Sequence, residues 1–80
     1  MKAIIKINEI GKIQQGNYLN WFVKVVDDSN GETGGYYVTI FKNIDQNGEA
    51  YDDWLENFED VEEYFKELNW IIDWNTLPFL

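Results

Sequence analysis

Hydrophobic and polar positions alternate in two segments of the first half of the chain. Residues 20–26 (NWFVKVV) and 36–41 (YYVTIF) are rich in β-branched and aromatic side chains, and a loop containing Asn30-Gly31 and Gly34-Gly35 separates them. Such runs on either side of a glycine-rich loop are typical of an antiparallel β-hairpin. The pattern therefore predicts two paired strands joined by a loop over residues 28–34.

The same alternation assigns the side chains of the hairpin to two faces, because successive residues of a strand point to opposite sides. One strand is expected to place Trp21, Val23 and Val25 opposite Phe22, Lys24 and Val26, and the other to place Tyr36, Val38 and Ile40 opposite Tyr37, Thr39 and Phe41. A single helix covers only one face of a sheet. Some aromatic rings should therefore stay exposed, unless the sheet wraps around them, and an exposed Trp/Tyr patch could anchor a protein interface.

An earlier strand is expected over residues 3–7 (AIIKI), and the sequence leaves open whether it resumes around Ile13. The isoleucines at positions 4, 7 and 10 also fit a helical repeat. The stiff side chain of isoleucine favours a strand, and Gly11 and Gly16 would interrupt a helix.

The second half of the chain contains a helical pattern. Phe58, Val61, Phe65 and Leu68 recur at intervals of three and four, which predicts an amphipathic helix over about residues 58–68. Asp60 followed by Glu63 resembles a capping box, and Asn69 should stop the helix. Residues 49–57 fit either an extra helical turn or an extended segment, and residues 70–74 (WIIDW) predict a last strand.

The predicted elements follow the order β-β-β-α-β. This order indicates an α+β fold in which a small antiparallel sheet of about four strands carries one amphipathic helix on one face. Eighty residues correspond to a single domain, residues 1–80.

The composition excludes several kinds of chemistry. The chain has no cysteine and no histidine, but it has four Trp, five Tyr and five Phe. Aromatic side chains can build a compact core without disulfides. The absence of cysteine, and therefore of disulfides, favours a cytoplasmic location. No segment approaches the roughly 20 apolar residues of a membrane span, and the expected location is the cytoplasm of a bacterial cell or of a phage-infected host.

Each candidate catalytic or metal-binding motif lacks neighbouring residues that its chemistry requires. Residues 31–35 (GETGG) lack the lysine and the helix of a phosphate-binding loop. Residues 43–48 (NIDQNG) resemble the start of an EF-hand loop, but its closing Glu would be Trp54. Paired carboxylates show no burial signal, and Ser29 has no histidine to activate it. The sequence therefore predicts no enzyme activity, no metal site and no cofactor.

Charge is distributed unevenly along the chain. Residues 1–44 hold five lysines and four acids, whereas residues 45–80 hold eleven acids and one lysine, for a total net charge of −9. Binding nucleic acid directly requires cations for the phosphates, so this charge argues against it, and it would also repel an anionic membrane. The acidic segment indicates a surface for a basic protein, although a solvated face that serves solubility also fits. The candidate partner-binding residues are Asp52, Asp53, Glu56, Glu59, Asp60, Glu62, Glu63, Glu67, Trp21, Tyr37 and Phe41.

The small size, the acidity and the segment 51–74 (YDDWLENFEDVEEYFKELNWIIDW) together resemble small acidic inhibitors that bacteria and phages direct against nucleic-acid enzymes. Two groups have these properties: immunity proteins that neutralise nuclease toxins, and phage anti-defence proteins such as anti-CRISPRs. The resemblance covers about a third of the chain, contains no diagnostic motif and carries over no binding residues. It implies an acidic surface that occupies the basic nucleic-acid groove of a target and partly mimics phosphates.

Two functions from different classes are therefore expected. The first is an inhibitor that blocks a basic nucleic-acid-binding protein or nuclease. The alternative is a structural or self-assembling subunit of a phage or mobile element, in which an exposed aromatic sheet face pairs with copies of itself. The sequence leaves open the target, the choice between toxin immunity and anti-defence, the oligomeric state, and whether the acids or the aromatic rings make the contact.

Overall fold

A computed structural model describes residues 4–75 as one sheet and one helix. In chain order the elements are β1 (Ile10–Gln15), β2 (Phe22–Asp27), β3 (Tyr36–Phe41), β4 (Ala50–Leu55), α1 (Phe58–Glu67) and β5 (Ile71–Asp73). All neighbouring strands are antiparallel, and their order across the sheet is β4-β3-β2-β1-β5. The predicted α+β fold is confirmed, with one strand more than the four expected.

The predicted hairpin is formed by β2 and β3. Their pairing runs without interruption from Phe22 opposite Phe41 to Asp27 opposite Tyr36. Beyond the last pair, the backbone N–H of Asp28 donates to the carbonyl of Gly35 at 2.9 Å. Gly35 adopts a positive φ of 76°, a conformation that glycine reaches without a steric penalty.

The core lies between one face of the sheet and α1, as the alternation predicted. Val23, Val25, Val38 and Ile40 point to this face and are buried, while Val61 and Phe65 are the buried residues of α1. We call this the helix face of the sheet. The opposite face carries Phe22, Lys24, Tyr37, Thr39 and Phe41, and no helix within residues 4–75 covers it.

The first strand lies later in the chain than the sequence suggested. Residues 4–6 have no regular structure, Ile7 forms only an isolated bridge to Val25, and β1 begins at Ile10. Ala3 lies outside the described residues. Asn8 turns the chain with a positive φ of 62°, and Ile5 and Ile7 pack against the core. The prediction of a strand is therefore wrong for residues 4–7, where Ile5 and Ile7 pack against the core and Ile4 is 73% exposed. The strand expected to resume around Ile13 is confirmed, because Ile13 lies in β1.

The helix has the predicted extent but a different cap. It is preceded by Asn57, whose side-chain oxygen accepts from the backbone N–H of Asp60 at 2.9 Å. Asp60 is therefore a residue of the first turn, and the capping box predicted from Asp60 and Glu63 is wrong. At the other end the helix stops at Glu67, and Asn69 takes a left-handed φ of 58° as the chain leaves.

The segment 49–57, which the sequence left open, is mostly strand. Residues 50–55 form β4 along the free side of β3, and Asn57 caps the helix that follows. The final predicted strand is shorter than expected, because β5 contains only residues 71–73. Trp70 and Trp74 flank it and are both buried.

Each buried tryptophan has a hydrogen-bond acceptor. The Nε1 of Trp70 donates to the carbonyl of Asn17 at 2.7 Å, and that of Trp74 donates to the carbonyl of Ile4 at 3.0 Å. Trp74 fits because Gly11 has no side chain; a Cβ there would lie 2.7 Å from the Trp74 ring. Among residues 4–75, no helix has the length and apolar character needed to cross a membrane.

Candidate partner-binding surface

The predicted acidic residues of α1 lie on its solvent side and on both of its flanks. Glu59, Asp60, Glu63 and Glu67 are exposed and Glu62 is half-buried, while the core side of the helix holds Val61 and Phe65. We call these five acids the acidic ridge. The helical repeat places the predicted charges outside the core, and the structure confirms this placement.

One flank of the ridge borders an open groove. Glu59, Glu62 and Glu63 line it together with Lys66, and the other side is formed by β5 and by Ile4. Phe65, Trp70 and Ile72 also line this groove, which has a volume of about 970 Å³. The groove thus combines apolar walls with three carboxylates, and Lys66 supplies a cation within it.

The other flank of the ridge faces β4. The phenol O–H of Tyr64 donates to Oδ2 of Asp53 at 2.5 Å. This hydrogen bond joins the helix to the edge strand, and it gives Asp53 a structural role beside its predicted role in binding. Glu56 is exposed in the connection between β4 and α1, so the acids of strand, connection and helix are continuous along the chain.

Asp52 and Asp53 point to opposite faces of the sheet. Asp53 pairs with Val38, which belongs to the helix face, whereas Asp52 pairs with Thr39 on the opposite face. The two neighbouring carboxylates therefore do not form one cluster. Asp52 shares its row with Lys24, because Lys24, Thr39 and Asp52 are successive partners across three strands.

The three rings predicted for a binding surface do not form one surface. Trp21 packs against the core on the helix face, whereas Tyr37 and Phe41 occupy the opposite face. Phe41 is 0% exposed and stacks on Phe22 with ring centroids 5.9 Å apart. Its ring cannot contact a partner in this conformation, so Phe41 is removed from the candidate surface.

Exposed rings instead gather around Trp21. Its ring lies 5.2 Å from that of Tyr18 and 6.0 Å from that of Tyr51, and the two tyrosines are 5.9 Å apart. Tyr18 is 40% and Tyr51 is 47% exposed. We call these three residues the aromatic cluster. Rings in mutual contact leave no space for a ligand between them, so a partner would contact their outer surfaces.

Sequence reasoning missed Tyr18 and Tyr51. Tyr51 lies in the segment whose structure was left open, and its exposure follows from the edge position of β4. Tyr18 lies in the turn between β1 and β2 and has a positive φ of 61°, which is uncommon for a residue other than glycine. Only the tertiary fold brings these two rings together.

The turn that presents Tyr18 is attached to the end of the helix. The backbone N–H of Asn17 donates to the carbonyl of Leu68 at 3.1 Å, and the carbonyl of Asn17 accepts from Trp70. The N–H of Trp21 closes the turn on the carbonyl of Tyr18 at 2.9 Å. These bonds hold the aromatic cluster beside the β4 flank of α1.

Carboxylates neighbour the aromatic cluster. The Tyr51 hydroxyl donates to Glu49 at 3.3 Å, and this carboxylate raises the pKa of the Tyr51 phenol. Glu49 also lies 3.9 Å from the Nζ of Lys42, an exposed pair that contributes little to stability. Partial burial raises the pKa of Tyr64 well above the ordinary value of 10.0, and its hydrogen bond to Asp53 and the charge of that carboxylate add to the shift.

Polar groups of the loop between β3 and β4 form hydrogen bonds with one another. Asp45 accepts from the backbone N–H of Asn47 at 2.9 Å, and the side chain of Asn43 donates to the carbonyl of Asn47 at 2.8 Å. Trp54, at the position where an EF-hand needs its glutamate, lies in β4 and donates to the carbonyl of Gly34 at 2.9 Å. Within residues 4–75, no three Asp or Glu side chains gather in a way that could hold a metal ion.

The Tyr64–Asp53 bond predicts a pH-dependent contribution to stability. A phenol whose pKa is raised by folding stabilises the fold below its unfolded pKa of about 10, and this contribution is lost as the pH rises above that value. We expect Tyr64→Phe to cost about 1 kcal/mol at pH 7, since the bond is partly exposed to solvent. Urea unfolding should show that the difference between Tyr64→Phe and the wild type shrinks from pH 9 to pH 11.

Asp53→Asn is the control, because it keeps an acceptor for Tyr64 and removes the charge. Removing the carboxylate takes away part of the upward shift of the Tyr64 pKa in the folded state, so the alkaline loss of stability should be smaller than in the wild type. The variant should also cost less than Tyr64→Phe at pH 7. A Tyr64→Phe variant as stable as the wild type at pH 7 would show that this bond does not contribute to folding.

Comparison with protein-family models, with curated proteins and with solved structures found no match to this chain.

Proposed function

We propose that this protein binds a basic nucleic-acid-binding protein and blocks its nucleic-acid site, as an immunity or anti-defence inhibitor does. The observation that carries the proposal is the placement of the acids. Ten of the fifteen acids lie between Asp45 and Glu67, and this stretch forms β4 and α1, which the Tyr64–Asp53 bond joins. No charged residue is buried within residues 4–75, so these carboxylates are accessible to a partner.

The density of charge on the helix is comparable to that of a nucleic-acid strand. At about 1.5 Å per residue, the stretch from Glu59 to Glu67 is about 12 Å long. It carries five carboxylates and one cation, Lys66. One strand of B-DNA carries a phosphate per about 3.4 Å, which gives three to four charges over the same length. The ridge therefore presents a net charge close to that of the ligand it would displace.

The aromatic cluster supplies anchors for such a complex. Tryptophan and tyrosine are enriched among the residues that dominate binding energy. Tyr18, Trp21 and Tyr51 lie beside the β4 flank of the ridge, and Glu49 contacts Tyr51. A lysine or arginine of a basic partner could stack on these rings and pair with the neighbouring carboxylate.

The exposure of the acids favours binding over catalysis. Glycoside hydrolysis needs two carboxyl groups that flank the scissile bond of an enclosed substrate. Asp52, Asp53, Glu59, Asp60 and Glu63 are all exposed, so they present their charge to a partner and do not enclose a substrate.

Capture at two salt concentrations followed by competition tests the proposal. The immobilised protein should retain a basic nucleic-acid-binding protein from bacterial lysate at about 0.05 M salt and release most of it at about 0.5 M, because salt screens these interactions. A fluorescent oligonucleotide bound to the purified partner should then be displaced when this protein is added in stoichiometric amount.

Two results would contradict the proposal. One is a partner that binds this protein and the oligonucleotide at the same time. The other is that this protein captures no partner and sediments as an oligomer whose size does not change with salt. That result would support the self-assembling alternative.

A further inference from the structure

Strand β4 forms one edge of the sheet, and no described strand lies beyond it. The N–H of Lys42 donates to the carbonyl of Glu49 at 3.0 Å, which continues the β3–β4 pairing by one step. Hydrogen-bonded pairs alternate along an antiparallel ladder. Tyr51 and Asp53 therefore bond inward to β3, whereas Ala50, Asp52 and Trp54 direct their backbone N–H and C=O groups outward.

This edge is open in a way that the opposite edge is not. β5 has only three residues, and its pairing with β1 contains a register shift between Ile13 and Gln15. Short strands and irregular pairing protect an edge from added strands. β4 has six residues, and its pairing with β3 is regular from Ala50 to Leu55. Its outer side can accept a strand along its whole length.

The charges on β4 decide which strand fits. In the two registers of a two-fold antiparallel pairing that overlap most, Asp52 would lie directly opposite Asp52 of the second copy or Asp53 would lie opposite Asp53 of that copy, since outward-bonding residues pair with one another. Like charges directly opposite each other destabilise a pair of strands, whereas opposite charges stabilise it. The edge therefore rejects a second copy of this chain and favours a segment with a lysine or arginine at the facing position.

The rings on β4 add a second preference for a cation. Tyr51 and Trp54 are 47% and 46% exposed, and they point to opposite faces of the strand. The indole of Trp54 is held by its bond to the carbonyl of Gly34, and the Tyr51 ring is held by contact with Trp21. Lysine and arginine side chains of an added strand would stack on these fixed rings.

We propose that the outer edge of β4 binds an extended basic segment of the partner, which adds to the sheet as a sixth strand. The outward backbone groups of Ala50, Asp52 and Trp54 bond to the added strand, and Asp52 selects a lysine or arginine opposite it. This inference rests on the proposed function, because it names the part of the basic partner that this protein grips.

The test uses two synthetic peptides of equal charge. The first has eight residues that alternate lysine and valine, and the second carries a methyl group on the backbone nitrogen of its two central lysines, which removes the donors that face β4 and keeps the charge. We expect the alternating peptide to bind at least about tenfold more tightly, because the N-methylated peptide cannot form the ladder. Amide exchange measured by NMR should slow at Ala50, Asp52 and Trp54 only with the alternating peptide.

Two variants separate backbone pairing from charge. Asp52→Asn removes the charge and keeps the outward N–H, so it should weaken both peptides by a similar factor. Asp52→Pro removes the outward N–H as well, at an edge position that tolerates proline. It should weaken the alternating peptide further than Asp52→Asn does and should reduce the preference for this peptide, because one ladder bond is lost while Ala50 and Trp54 keep their outward N–H groups. If Asp52→Pro does not fold, the exchange measurement on the wild type decides the question alone.

Each outcome distinguishes this inference from the proposed function. If both peptides bind equally, with unchanged exchange at Ala50, Asp52 and Trp54, strand addition is wrong while binding of basic ligands stands. If neither peptide binds at about 0.05 M salt, where charge interactions are strongest, both the strand addition and the acidic binding surface are wrong.

Discussion

Gly16→Ala is expected to lower the free energy of unfolding by at least about 3 kcal/mol, a large part of the roughly 4–12 kcal/mol typical of a domain this size. Gly16 has a φ of 99°, which L-residues rarely adopt. A Cβ at this position would lie 2.7 Å from the carbonyl carbon of Asn69 and closer still to the carbonyl oxygens of Leu68 and Asn69. Backbone strain of this kind costs about 1–3 kcal/mol.

The overlap adds to the strain, because relieving it moves the β1–β2 turn away from the helix end. That movement would break the bond from Asn17 to Leu68 and the bond from Trp70 to Asn17, each worth about 0.5–1.5 kcal/mol. It would also displace Tyr18, so the contacts of the aromatic cluster should loosen. Urea unfolding followed by tryptophan fluorescence measures the loss of stability.

Gly34→Ala is the matched control. Gly34 also has a positive φ, of 74°, but a Cβ there would have nothing within 4 Å. The substitution should cost only the left-handed backbone penalty of about 1–2 kcal/mol. If the two variants lose the same stability, the close contact between the turn and the helix end contributes nothing to the fold.

Reversing two charges of the acidic ridge, Glu63→Lys with Glu67→Lys, should weaken binding of the basic partner more than about 100-fold. Close charge pairs at interfaces carry coupling energies of about 1.5–7 kcal/mol, so two pairs lose at least about 3 kcal/mol. Both residues are exposed, and Glu67 is the last residue of α1. A lysine near a helix C-terminus interacts favourably with the helix dipole, so folding should be retained.

The control reverses the same number of charges elsewhere. Glu9 and Glu32 are exposed outside the β4–α1 segment, and Glu9→Lys with Glu32→Lys gives the same net charge as the ridge variant. It should reduce affinity by less than about threefold after correction for the change in association rate, because distant charges act mainly on that rate. Equal losses in both variants would show that net charge alone drives binding and that the ridge is not the contact. Isothermal titration calorimetry with the captured partner gives both affinities, and circular dichroism confirms that both variants fold.

The exposure of the candidate binding residues could be predicted only where the hydrophobic repeat in the sequence had the period of the helix or strand that forms there. The helical spacing of Val61 and Phe65 placed Glu59, Glu63 and Glu67 in solvent, and the structure agrees. The same reasoning treated Asp53 as a surface charge, although Tyr64 bonds to it. A hydrogen bond between residues on different elements has no signature in local spacing.

Local patterns by themselves determined the α+β class, the β2–β3 hairpin and its two faces, the extent of α1 and the concentration of acids in the second half. These features depend on periodicity and turn chemistry within about ten residues, so they can be read along the chain. The tertiary structure alone decided the rest. Ile5 and Ile7 pack against the core and lie outside the five strands. Pairing with β3 made residues 50–55 an edge strand. Packing of the β1–β2 turn on the end of α1 brought Tyr18, Trp21 and Tyr51 together, because contacts between distant segments depend on how whole elements dock.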